Sequence, residues 1–152
     1  MQASSVKIAW KVMLALGIYT AVLGLLWIFP TETAAVAPAF NSFTTQSWSD
    51  FLTSSPKPAE LLIIVNKALG SLAFVIALFT ILVAWKSYRK AEKWSWYTFL
   101  ITGTLTWGTS LAYNLALGYF VRLIAPIVGS ILFVIGIALP AKAILGKKVA
   151  GK

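Results

Sequence analysis

Four long apolar runs, Ile8 to Phe29, Ala59 to Trp85, Trp94 to Gly118 and Val121 to Leu145, dominate the chain. Each is long enough for a helix to cross a bilayer, which takes about 20 residues. The third run is the most regular. Read at about 100° per residue, Thr98, Thr102, Thr106, Thr109 and Tyr113 fall within a wedge of about 80°. Leu100, Thr104, Leu111 and Leu115 lie on the opposite side. Lipid offers a hydroxyl no partner, so the stripe is expected to face the interior of a helical bundle or a polar ligand.

The other runs carry small residues at three- and four-residue spacing, the pattern that lets helix backbones approach closely in lipid. They are Gly17, Ala21 and Gly24 in the first run and Gly129 and Gly136 in the fourth. In the second, Asn66 heads a ridge that continues through Gly70, Ala73, Ala77, Thr80 and Ala84. As a helix this run is roughly 40 Å long, more than a hydrocarbon core of about 30 Å. Its first turns are therefore expected to project outward, which carries Lys67 toward the interface. Lys11 can snorkel to the headgroups. Pro126 either kinks the fourth helix or marks its true start.

Thr31 to Pro58 reads as a long polar loop, part of an outer segment from 30 to 58. Its one helical signal is Ser47 followed by Asp50, with Trp48, Phe51 and Leu52 on a common face. This short helix either lies at the membrane interface or plugs the bundle. The basic start, first apolar run and Ala35-Val36-Ala37 imitate a signal peptide. That run exceeds the usual h-region of about 7–15 residues, however, and Pro38 directly follows the site, so an uncleaved anchor is expected.

The second and third runs are joined by KSYRKAEK, short enough to force an antiparallel hairpin. The stretch Tyr88-Arg89-Lys90-Ala91-Glu92-Lys93-Trp94-Ser95-Trp96-Tyr97 resembles the hairpin of uncharacterised small four-helix membrane proteins of prokaryotes. Their usual wording is an aromatic, two basic residues, Gly-Glu, a basic residue and Trp-Ala-Trp-Tyr; this chain departs from it at Ala91 and Ser95. The hydropathy of the whole chain is more loosely similar to DoxX-like four-helix proteins. The resemblance implies an architecture without an activity, and no functional residue is carried across.

Composition narrows the class. With 59% of its 152 residues hydrophobic, the chain has too little polar surface for a soluble domain. It is expected to be an all-α integral membrane protein, an antiparallel four-transmembrane-helix bundle with a short interfacial helix in the first outer loop. The absence of Cys and His excludes disulfides, histidine-ligated haem and the usual zinc sites. No phosphate-binding loop, nucleophile elbow or paired carboxylates occur, so neither an enzyme nor a cofactor is expected.

Charge sets the expected topology. Ten of the 13 basic residues, Lys7, Lys11, Lys86, Arg89, Lys90, Lys93, Lys142, Lys147, Lys148 and Lys152, fall on one side with Glu92. On the other side Lys57, Lys67 and Arg122 balance Glu32, Asp50 and Glu60, so the whole formal charge of +9 lies on one face. The positive-inside rule makes that face cytoplasmic and both termini with it, in a multi-pass protein of the cell membrane. The expected partner there is anionic headgroups of the lipid bilayer. Without a recognition motif, nucleic acid is not expected to bind.

The remaining polar candidates are Glu60, Asn66, Lys67, Tyr113, Asn114 and Arg122. Antiparallel packing would bring the charged members, Tyr113 and Asn114 to a similar outer depth, with Glu60 as the preferred partner of Arg122. Such a cluster would be an ion-paired cap that fixes helix register, or an access site for a small polar solute or lipid headgroup. Two functions follow. One is a non-catalytic accessory or scaffold subunit, acting through lipid, a protein partner or a homo-oligomer. The other is a carrier using a Thr-lined cavity and the outer charged cluster.

Overall fold

The computed structural model describes residues 2–29, 32–118 and 120–146, and among these every regular element is helical. The long helices are α1 (Gln2–Ile28), α4 (Pro56–Lys86), α5 (Lys93–Ala116) and α6 (Ile124–Ala138). Shorter ones are α2 (Glu32–Thr44), α3 (Trp48–Ser54) and α7 (Ala141–Leu145), with 3-10 turns at Tyr88–Lys90 and Phe120–Leu123. Among the described residues three segments are long and apolar enough to cross a membrane: Ser4–Ile28, Pro56–Lys90 and Ile124–Leu145. Helix α5 has 24 residues, enough for about 36 Å, but its threonines leave it less apolar. The outward faces carry large hydrophobic side chains such as Leu72, Phe79, Ile131 and Val134, each more than half exposed. Such extended exposed apolar surface is foreign to a water-soluble monomer and ordinary against lipid.

Helix α1 is the centre of the packing, with α4 along one side and α6 along another, while α5 packs chiefly on α6. The small residues set these approaches. A Cβ placed on Gly24 would lie 2.8 Å from the backbone nitrogen of Phe74, and one on Gly17 only 2.7 Å from the Ile81 side chain. On α4, a Cβ at Gly70 would meet Trp27 Cβ at 2.8 Å. Both expected ridges therefore lie in the α1–α4 contact, where Ala77 and Ala84 are also fully buried. On α6, Gly129 sits beneath the Trp107 ring and Gly136 beneath Met13, and Gly103 of α5 receives the Phe133 ring. Large side chains of one helix thus fill gaps left by glycines on the next.

The segment read as a loop is mostly helical. Ala34, Ala35, Ala37 and Ala39 supply strong helix propensity to α2, which tolerates Pro38 within it and ends at left-handed Thr45. A proline inside a helix ordinarily breaks it, which is why sequence pattern hides α2. The short helix at Trp48 does form. The Ser47 hydroxyl accepts from the Asp50 N–H at 3.2 Å, and Asn41 Oδ1 accepts from the Trp48 N–H at 2.8 Å. Trp48 is buried with Ala37, Ala59 and Ile63, flanked by Phe40 and Phe51. This second small core fastens α2 and α3 to the first turns of α4, while Leu52 stays exposed.

Candidate functional site

The hairpin between α4 and α5 is tied to α6 by two side-chain hydrogen bonds. Tyr88 is fully buried, stands edge-on to Phe99 with ring centroids 5.0 Å apart, and donates from its hydroxyl to the Gly136 carbonyl at 2.8 Å. Trp96 Nε1 donates to the Ile137 carbonyl at 3.0 Å. These two acceptors have a physical explanation in the sequence. Proline has no N–H, so Pro140 cannot satisfy the carbonyl of Gly136 four residues earlier, and the Ile137 carbonyl lies in the last turn of α6, where helix carbonyls run short of backbone donors. The hairpin supplies a donor to each.

Around this lock, Trp94 Nε1 donates to Glu92 Oε2 at 2.7 Å and the Ser95 hydroxyl to the Glu92 carbonyl at 2.6 Å. Hydrogen bonds from the Ser87 hydroxyl and the Trp94 indole, aided by Lys90, hold the Glu92 carboxyl below its ordinary range. A depressed carboxyl favours the fold above its unfolded-state pKa, and that contribution fades as pH falls through the folded value. The Arg89 guanidinium lies 4.9 Å above the Trp85 ring, and Trp85 meets Trp10 of α1 edge-on.

The turn passes through Ala91 at φ 59°, the left-handed region where a Cβ costs about 1–2 kcal/mol. Ala91→Gly should raise stability in detergent by about 0.5 kcal/mol, because the relief exceeds the loss of a buried methyl worth about 0.8 kcal/mol. Ala91→Val should lower it; a loss from both substitutions would show that burial, not backbone strain, governs the turn.

The threonine stripe lies on a flank of α5 rather than at the centre of its inward face. Thr102 and Thr109 are exposed, Thr98 and Thr106 half-buried, and Tyr113 is 60% exposed. The hydroxyls of Thr98, Thr102 and Thr109 donate to the carbonyls of Trp94, Thr98 and Leu105, one helical turn back. Bonded in this way, a threonine needs no partner from another helix. The inward face of α5 is instead Ser95, Trp96, Phe99, Trp107 and Asn114, which bury more area than hydroxyls can.

The outer constellation also divides. Glu60 and Lys67 lie on α4, while Asn114 and Tyr113 end α5 and Arg122 sits in the following 3-10 turn. Helix α1 contacts both α4 and α6, while α5 packs chiefly on α6, so the two groups belong to different parts of the packing. Glu60 pairs with Lys57 at 3.6 Å, and both side chains are well exposed. Asn114 is buried and donates to the Ser110 carbonyl at 2.8 Å. Asn66 donates to the Trp27 carbonyl at 3.2 Å, near the end of α1 where helix carbonyls lack N–H partners. It heads the packing face as its position suggests.

Glu60 and Lys67 do come together with one another. They line a groove of about 440 Å³ with Leu52, Pro56, Ile63 and Ile64. The α3 wall and Pro56 were missed from sequence because nothing local shows that α3 folds back onto α4. Compared with protein-family models, curated proteins and solved structures, the chain matches none.

Proposed function

We propose that the protein is a four-span, non-catalytic subunit of the cell membrane, acting through contacts with lipid and with a partner protein or a second copy. The observation that carries this reading is where its buried and half-buried polar groups go. Tyr19 donates to the Ala125 carbonyl, Thr20 to Leu16, Asn66 to Trp27, Tyr88 to Gly136, Trp96 to Ile137 and Asn114 to Ser110. Among the described residues the buried hydroxyl of Ser130 is the exception. Side chains occupied with helix carbonyls are not available to bind substrate or move protons.

Helix α5 counts as the fourth span in this reading. Its hydroxyls are satisfied internally, and it runs beside α6, with Trp96 near Ile137 and Gly103 near Phe133. The basic hairpin then faces the cytoplasm with both termini, and α2 and α3 lie outside. The hairpin wording shared with small four-helix prokaryotic proteins supports the same architecture.

Topology is testable without background, because the chain has no cysteine. Cys at Ser54 should be labelled by an impermeant maleimide only from outside, and Cys at Lys90 only from the cytoplasmic side. Labelling of both from one side would refute four spans. The subunit reading itself is tested by native purification in mild detergent with mass spectrometry. A stoichiometric protein partner or a defined homo-oligomer is expected; a monomer carrying a stoichiometric small metabolite would favour a carrier.

A further inference from the structure

We propose that the groove at the start of α4 binds the amine-bearing phosphodiester headgroup of a phospholipid, Lys67 taking the phosphate and Glu60 the ammonium. This deepens the lipid-contact reading given above and rests on it. The groove combines one acid and one base with four apolar or ring side chains, Leu52, Pro56, Ile63 and Ile64. That mixture suits a zwitterionic head joined to a hydrocarbon body, rather than a soluble ion.

The order of the charges along the helix decides the orientation. Lys67 lies seven residues nearer the membrane centre than Glu60, about 10 Å at the helical rise. In an outer leaflet the phosphodiester is attached to the glycerol and the amine is carried beyond it, so a base below an acid matches the headgroup end for end. Side chains on a helix lean toward its N-terminus. Glu60 leans the same way, so it is the longer stem of Lys67 that narrows the gap between the two charges. Ile63 and Ile64 lie between them in sequence, and Leu52 of α3 forms a further wall.

Glu60 shares its carboxylate with Lys57, but that pair is 3.6 Å long with side chains 91% and 63% exposed. Exposed pairs of this kind are weakly held, and a headgroup ammonium can displace or share the contact. Lys57 also keeps the rim positive, which favours the approach of phosphate. A purely anionic headgroup would satisfy the lysines and leave Glu60 opposed, so the acid is the feature that selects for an amine.

The test uses the full-length protein in bilayer discs of equimolar phosphatidylethanolamine, phosphatidylcholine and phosphatidylglycerol, with retained lipids counted by native mass spectrometry. Phosphatidylethanolamine should be enriched about threefold over its bulk share, with phosphatidylcholine weaker because its quaternary amine has no N–H to donate. Glu60→Gln should abolish the preference for the amine while lipid is still retained. Lys67→Gln should reduce retention of all three lipids.

Three results would overturn the proposal. Phosphatidylglycerol retained best by the wild type would mean a plain cationic patch. Unchanged enrichment in Glu60→Gln would place the lipid elsewhere. Displacement of the lipid by millimolar soluble phosphoethanolamine would make the ligand a free phosphate ester. Both residues are exposed on α4, so the variants should fold, and Glu60→Asp offers a milder second variant with partial loss expected. Both faces of a disc are open to solvent, so the result holds for either insertion and is separate from any failure of the topology.

Discussion

Gly129→Ala is expected to destabilise the protein by about 3 kcal/mol, the upper end of the range for overpacking a filled core. Any Cβ at Gly129 would overlap the ring of Trp107. The ring has little room to retreat, since Trp107 is buried and stacks on Tyr19 at a centroid distance of 6.4 Å. Gly108→Ala supplies the contrast on α5. A Cβ there meets nothing within 4 Å, so the substitution should stabilise by about 0.5–1 kcal/mol through helix propensity alone. Urea titration in a mild detergent measures both. The same sign at both glycines would refute the packing of α5 on α6.

The second large effect is expected at the hairpin lock. Tyr88→Phe keeps the ring but removes the hydroxyl from the Gly136 carbonyl, leaving a buried acceptor unpaired at a cost of about 1–3 kcal/mol. Trp96→Phe loses both its donor and part of its buried ring, so its cost should be at the upper end of that range or above it. Neither substitution is expected to alter lipid retention at the groove, because the hairpin and the groove lie at opposite ends of α4.

The sequence exposes what repeats and hides what folds back. Apolar length and small-residue spacing reveal the long helices, and Gly17, Gly24, Gly70, Gly129 and Gly136 all occur where helices approach closely. The orientation of α5 is less legible. Hydroxyl periodicity marks one face of a helix, but not whether it turns inward, and here bonds to the helix's own carbonyls free the threonines to lie on the flank of the packed face. The larger surface of Trp96, Phe99 and Trp107 determines the inward face. Helix α2 is concealed by Pro38 within an alanine-rich stretch.

For the polar candidates, depth along a helix is readable but neighbourhood is not. Glu60, Asn114 and Arg122 can be given similar depths from their positions in the chain, yet which helices adjoin depends on α1 packing against both α4 and α6. Glu60 and Lys67 stay together because they share one helix. The roles of Tyr88 and Trp96 have a sequence signal in Pro140, since a proline four residues after Gly136 announces a carbonyl in need of a donor, though not which residue supplies it.

If polar side chains close the helices rather than line a site, the hydroxyl of Tyr88 should matter because of Pro140. A double-mutant cycle of Tyr88→Phe and Pro140→Ala, read by urea titration in detergent, tests this directly. Alanine at 140 restores a backbone N–H that can reach the Gly136 carbonyl. Tyr88→Phe should then cost less in the Pro140→Ala background, with a coupling of at least about 0.5 kcal/mol. Strict additivity of the two substitutions would contradict the account.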